Sequence, residues 1–133
     1  MSDDVIRGKK LLLVEDMATN RKVMMTLLED TGLEIDCAVN GIEAVDKVSA
    51  EPEKYDMVFM DLRMPKMGGL DATRQIRALP PRQRGRLPIV AMTANTAPED
   101  IAECVAAGMD DHMGKPIDMD MILAILHKYL PNE

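Results

Sequence analysis

The sequence has no tryptophan, one phenylalanine and two tyrosines, so its core must be built from aliphatic side chains and from thirteen methionines. A methionine-rich face can serve as an adaptable binding surface. Met57, Met60 and Met92, however, fall in apolar strand-like runs, and Met24 and Met121 on helical apolar stripes, which points to ordinary core filling. Cysteine is equally sparse: Cys37 and Cys104 are too few for a disulfide framework and sit among apolar residues, as expected in a reducing compartment. Basic residues are outnumbered, 16 Lys and Arg against 23 Asp and Glu, for a net charge of −7. That balance argues against binding to nucleic acid or to an anionic membrane surface. No apolar run approaches the roughly 20 residues of a spanning helix. Met1, Ser2, Asp3 and Asp4 lack the basic start and apolar core of a secretory signal. The expected location is the cytoplasm.

No linker, repeat or low-complexity stretch divides the 133 residues, which is one domain's worth of chain (1–133, core about 9–130). Five short apolar runs stand out: Lys10 to Glu15, Glu34 to Val39, Tyr55 to Met60, Pro88 to Thr93 and Met109 to Met113. The first, third and fourth are nearly continuous, as parallel strands covered on both faces should be. Helical stripes separate them. Val23, Met24, Leu27 and Leu28 form the first, with Gly32 as a C′ glycine. Asn40-Gly41 opens the second, carried by Ala44, Val45 and Val48. Leu70, Thr73, Ile76 and Leu79 make the third, stopped by Pro80-Pro81. Thr96 and Pro98 pair as cap and first turn of the fourth, with Ile101 and Val105 inward and Gly108 ending it. Asp118 caps the fifth, with Met121, Ile122, Ile125 and Leu126 inward and Pro131 terminating it. A β-α unit repeated five times predicts right-handed crossovers and a single α/β domain around a doubly wound parallel sheet. The Pro80 to Arg86 loop concentrates Arg82, Arg84 and Arg86, which reads as a solvated connector in preference to an anion site.

In such a sheet, ligands bind beyond the carboxyl ends of the strands. Those ends carry Glu15-Asp16, Asp61, Thr93 and, after the last strand, Lys115-Pro116. Three clustered carboxylates repel one another and raise each other's pKa unless a cation intervenes. A hard divalent ion, Mg2+ by preference, accepts oxygen ligands and keeps positions open for water and phosphate. Lys115 adds a mobile positive charge and Thr93 a hydroxyl donor, the electrostatic support that phosphoryl transfer to a carboxylate needs.

Several spaced segments carry a family resemblance: Leu11-Leu12-Leu13-Val14-Glu15-Asp16, Met60-Asp61-Leu62-Arg63-Met64-Pro65-Lys66-Met67-Gly68-Gly69, Ala91-Met92-Thr93-Ala94, and Gly108-Met109-Asp110-Asp111-His112-Met113-Gly114-Lys115-Pro116. Over nearly its whole length the chain resembles the receiver domain of two-component response regulators, most of all receivers attached to hybrid sensor histidine kinases. The resemblance implies a five-stranded flavodoxin-like sheet of order 2-1-3-4-5. It implies that Asp61 is the phosphoacceptor and that Glu15, Asp16 and Asp61 hold Mg2+ together with the backbone carbonyl of Arg63. Thr93 would be the switch hydroxyl and Lys115 the lysine that supports transfer, with a cis Lys115-Pro116 peptide. Ala18, Asn20, Arg21, Met24 and Pro116 would form the surface where a phosphohistidine donor docks. The implied partners are a histidine kinase or a histidine phosphotransfer domain, with no nucleic acid or membrane contact, and a monomer or weak phosphorylation-dependent dimer. Such a domain is a signalling phosphoacceptor that catalyses its own phosphorylation and dephosphorylation, working alone or as a piece of a longer protein.

Three positions depart from the family pattern. Met17 stands where those receivers usually have Asn, Gly68 replaces an acidic residue, and His112 occupies the place of the switch aromatic. Other chemistries fit less well. A flavodoxin-type electron carrier needs a phosphate-cradling loop after the first strand, where Glu15-Asp16 stands. A haloacid-dehalogenase-like hydrolase needs a second carboxylate two residues after its nucleophile, where Arg63 stands. A degenerate receiver serving only as an interaction module would lack a site residue, and none is missing.

Overall fold

The computed structural model describes residues 6–130, so the acidic start and Pro131 lie outside the described residues. Strands and helices alternate: β1 (Lys10–Val14), α1 (Ala18–Leu28), β2 (Glu34–Ala38), α2 (Gly41–Ala50), β3 (Met57–Asp61), α3 (Gly69–Arg77), β4 (Ile89–Thr93), α4 (Pro98–Ala107), β5 (Asp111–Gly114) and α5 (Met119–Tyr129). All strand pairs are parallel and the order is β2-β1-β3-β4-β5. The chain therefore winds outward in both directions from β1, and the connections diverge between β1 and β3, where a crevice forms at the strand ends.

Side-chain alternation along the strands divides the core in two. Leu12, Val14, Val58 and Met60 face α2, α3 and α4 and meet Ala44, Val48, Ala72, Ile76 and Cys104. Leu11, Leu13, Met57, Phe59, Val90, Met92 and Met113 face α1 and α5 and meet Met24, Leu28, Ile122, Ile125 and Leu126. Methionine does fill the core: Met24, Met57, Met60, Met92, Met109 and Met113 are buried. Two caps take the form expected of Ser, Asp and Asn side chains at helix starts. The Asn40 carboxamide oxygen accepts from the Glu43 amide at 2.8 Å, and Asp118 accepts from the Met121 amide at 2.9 Å. Gly108 closes α4 at φ +108°, a left-handed residue that costs glycine little.

Several local expectations are corrected. Val105 is 65 % exposed and Val23 54 % exposed. In α4 the inward face belongs to the small residues Cys104 and Ala107, which let the helix lie close to the sheet. In α1 it belongs to Met24 and Leu28, four residues apart. Ala97, not Thr96, is the N-cap of α4 and offers no side-chain acceptor. Gly32 has φ +83° but lies beyond the end of α1, in the turn into β2. The α3 N-cap is Gly68, which likewise makes no side-chain cap.

The arginine-rich loop is bound into the protein. Arg82 donates to the carbonyls of Pro52, Tyr55 and Gly85. Arg84 donates to the Glu53 carbonyl and pairs with Asp56. Arg86 joins Arg77 on Asp110, each at 2.8 Å. These guanidiniums are spent on structure, which corrects the solvated half of the expectation: the loop is a connector bonded into the fold.

Candidate functional site

Register builds the site. Val14 pairs with Met60, so the next residues along, Glu15 and Asp61, leave the sheet side by side. Asp61 pairs with Met92 and Thr93 with Gly114, which brings the hydroxyl and Lys115 to the same edge. A cleft of about 190 Å³ opens there, lined by Glu15, Asp16, Met17, Asn20, Asp61, Leu62, Arg63, Thr93, Ala94 and Lys115.

Glu15, Asp16 and Asp61 each present one carboxylate oxygen, and these oxygens lie within 4.8 Å of one another. Glu15 and Asp61 are buried and Asp16 is half-buried. The Lys115 ammonium stands 3.4 Å from Asp61 Oδ1 and 3.7 Å from Glu15 Oε1. One ammonium among three carboxylates leaves negative charge uncompensated. Burial pushes the Glu15 carboxyl above its ordinary pKa and the Asp61 charge adds to this. Hydrogen bonds from the Met17 amide and Asn20, and the Lys115 charge, oppose it. An all-oxygen, strongly anionic donor set of this span suits a hard divalent cation.

Asp61 is held on one oxygen. Its Oδ1 accepts from Lys115 Nζ and from the Arg63 amide, both at 3.4 Å. Among the described residues Oδ2 has no hydrogen-bond partner. Gly69 permits this placement, since a Cβ there would stand 2.3 Å from the Asp61 carbonyl oxygen. Thr93 Oγ1 donates to the Asn95 carbonyl at 3.1 Å and accepts from the Asn95 amide at 3.0 Å, a local turn that holds the hydroxyl against its own loop. The Lys115-Pro116 peptide is cis.

Next to the cleft, Glu15, Asn20, Val23, Met24, Met92, Lys115, Pro116 and Ile117 line a largely apolar groove of about 250 Å³. Ala18 and Pro116 are exposed, whereas Met24 is 5 % exposed and shows the groove only an edge. Asn20 and Arg21 turn inward. Asn20 Nδ2 donates to Glu15 Oε2 at 3.3 Å, and Arg21 Nη1 donates to the carbonyls of Glu15 and Asp16 at 2.9 and 3.0 Å. Sequence reasoning had no signal for this, because a helix residue's choice between solvent and the preceding loop is made by contacts that no periodicity encodes. His112 is half-buried on the edge strand β5, opposite Ala91, and its ring makes no hydrogen bond among the described residues.

Over residues 11–127 the chain matches the family described as the response regulator receiver domain. It is 43 % identical over 122 residues to two-component system protein A of Emericella nidulans, covering 91 % of this chain and 17 % of that protein. It is 39 % identical over 132 residues to hybrid signal transduction histidine kinase B of Dictyostelium discoideum, covering 92 % of this chain and 7 % of that protein. The chain thus spans less than a fifth of the length of these curated relatives. Among solved structures, the receiver domain of a sensor histidine kinase from Pseudomonas aeruginosa PAO1 aligns with a TM-score of 0.82 at 36 % identity, covering 94 % of this chain and 99 % of that chain. That crystal structure has a magnesium ion coordinated in the active site cleft.

Proposed function

The chain belongs to the response regulator receiver domains of two-component signalling, and on that premise we propose that its 133 residues form one receiver unit in which Asp61 takes a phosphoryl group from a phosphohistidine donor. The observation that carries this reading is the convergence of the Glu15, Asp16 and Asp61 oxygens within 4.8 Å, with the Lys115 ammonium 3.4 Å from the acceptor. Glu15, Asp16 and Asp61, with the Arg63 carbonyl, would hold Mg2+. Held there, Mg2+ would supply neutralisation of the charge on a transferring phosphoryl group.

The chain's own groups do the rest. Asp61 Oδ2 is the free oxygen that attacks phosphorus; the P–N bond to the donor imidazole breaks and an acyl phosphate forms. Lys115 shifts from the Asp61 carboxylate to a phosphoryl oxygen as charge moves outward. Thr93 gives up its bond to the Asn95 carbonyl to donate to another phosphoryl oxygen, and His112, as the second switch residue, would follow that movement. The same groups let the domain catalyse its own phosphorylation from a small phosphodonor and its own dephosphorylation. Ala18, Asn20, Arg21, Met24 and Pro116 mark the side on which a histidine kinase or histidine phosphotransfer domain docks, with the apolar groove as its seat. The domain works in the cytoplasm as a monomer or weak phosphorylation-dependent dimer, without nucleic acid or membrane contact. No described helix is long and apolar enough to cross a membrane.

The test is incubation with acetyl phosphate, followed by phosphate-affinity gel mobility and intact mass. A single adduct is expected with Mg2+ and none in chelator or in Asp61→Asn. An adduct that survives Asp61→Asn, or that forms equally well in chelator, overturns the reading.

A further inference from the structure

The β1–α1 connection is three residues long, Glu15, Asp16 and Met17, and it carries two of the three clustered carboxylates. Its anchorage is uneven. Glu15 is fixed through both backbone and side chain: its amide donates to the Ala38 carbonyl, and its Oε2 accepts from the Met17 amide and from Asn20. Met17 is the N-cap of α1 but makes no side-chain cap, so the helix start does not hold the loop through a capping bond. Asp16 has far less. Among the described residues its hydrogen bonding reduces to one contact, the bond its carbonyl accepts from Arg21 Nη1 at 3.0 Å.

The same guanidinium nitrogen donates to the Glu15 carbonyl at 2.9 Å. Arg21 sits one turn into α1, and its amide closes the first helical bond to the Met17 carbonyl. It therefore ties both peptide planes of the acidic pair to the rigid helix. A peptide plane that is fixed fixes the direction of the Cα–Cβ bond leaving it, and so the reach of the Asp16 carboxylate. Resting on the reading of the cleft as a Mg2+ site, we infer that Arg21 is the positioning residue for Asp16, and that it gives the site its preference for Mg2+ over larger cations.

The cation discrimination follows from coordination chemistry. Mg2+ demands near-ideal octahedral geometry at short distance, whereas Ca2+ accepts longer bonds and irregular ligand sets. Freeing the Asp16 peptide should hurt the demanding ion and spare the tolerant one. Losing the arginine charge alone acts in the opposite direction, because removing a cation beside an anionic cluster tightens every divalent ion to a similar degree. Lysine at the same position keeps the charge but presents a single ammonium in place of a planar fork.

The experiment titrates Mg2+ and Ca2+ into the wild-type chain, Arg21→Met and Arg21→Lys by isothermal calorimetry, with melting curves in chelator as the control. Arg21→Met is expected to lose about 10- to 100-fold in Mg2+ affinity, the usual effect of removing an outer support of a metal ligand. Its Ca2+ affinity should stay within a few-fold of wild type, and Arg21→Lys should fall between. Equal factors for both ions, unchanged Mg2+ affinity, or tighter binding of both would overturn the inference while leaving the site itself intact. A wild-type chain that takes up no Mg2+ would overturn the inference and the reading beneath it together.

Discussion

Replacing Asp110 by alanine probes the clamp that ties α3, the arginine-rich loop and the start of β5 together. One carboxylate serves three donors: Arg77 Nη2 at 2.8 Å, Arg86 Nε at 2.8 Å and the Ile89 amide at 2.9 Å. Their environments differ, and the difference sets the magnitudes. The Arg77 and Asp110 side chains are 18 % and 17 % exposed, so their bond is a charge-assisted one in a largely desolvated place. Its loss costs about 2 kcal/mol. The Ile89 amide would be left without its acceptor, adding about 1 kcal/mol. Arg86 is 58 % exposed, and its pairing contributes about 0.5 kcal/mol at most. Asp110→Ala is therefore expected to lose about 3 kcal/mol in urea unfolding, with an unchanged slope. Asp110→Asn keeps an acceptor for Ile89 and should lose about 2 kcal/mol. Double-mutant cycles then apportion the loss, with coupling to Arg77→Met several times that to Arg86→Met. A larger coupling to Arg86, or a total below about 1 kcal/mol, would refute the reasoning from burial.

Three further outcomes follow from other parts of the fold. Gly69→Ala forces a Cβ to within 2.3 Å of the Asp61 carbonyl oxygen, a backbone atom that cannot step aside. It should cost about 3 kcal/mol of stability and weaken acetyl phosphate labelling; an unchanged urea midpoint contradicts the clash. Asn40→Ala removes the α2 cap and should cost about 1 kcal/mol, read from the urea midpoint. Burial works to raise the carboxyls of Asp36, Asp56 and Asp111. Hydrogen bonds to Asp36 from Tyr55 and Lys47, to Asp56 from the Lys10 amide and Arg84, and to Asp111 from the His112 amide, Lys128 and Tyr129 outweigh it and hold them low. Folded values below the unfolded ones mean stability present above about pH 4 and lost as pH falls through the folded pKa values. Glu15, raised by burial, acts with the opposite sign. Urea midpoints should fall steadily from pH 5 to pH 2.5; a flat or rising profile contradicts the assignment.

Much of this arrangement is legible in the chain because it depends on local rules. Nearly unbroken apolar runs mark β1, β3 and β4, and the polar residue ending each run is the one that reaches the crevice, which is why Glu15, Asp61 and Thr93 could be singled out. Asn40 and Asp118 are readable as caps because their side-chain oxygens serve amides three residues away. What escaped is set by distant partners. Val105 looks like a core residue by hydropathy, but the small Cys104 and Ala107 decide which side of α4 approaches the sheet. Arg82 and Arg84 reach the carbonyl of Tyr55 from 27 and 29 residues away, and no spacing rule anticipates such a bond. Arg21 looks like a surface residue of α1 until the path of the preceding loop is known.

The placement of the two tyrosines has an optical consequence. Tyr55 precedes β3 while Asp61 ends it, so the length of a five-residue strand, about 15 Å, stands between them. Tyr129 binds the Asp110 carbonyl just before β5, again at the end of the sheet away from the cleft. With no tryptophan in the chain, its native tyrosine emission arises at the foot of the sheet, away from the acceptor. A tryptophan introduced at Met17, 54 % exposed on the rim of the cleft, would give the domain a light source where its chemistry takes place.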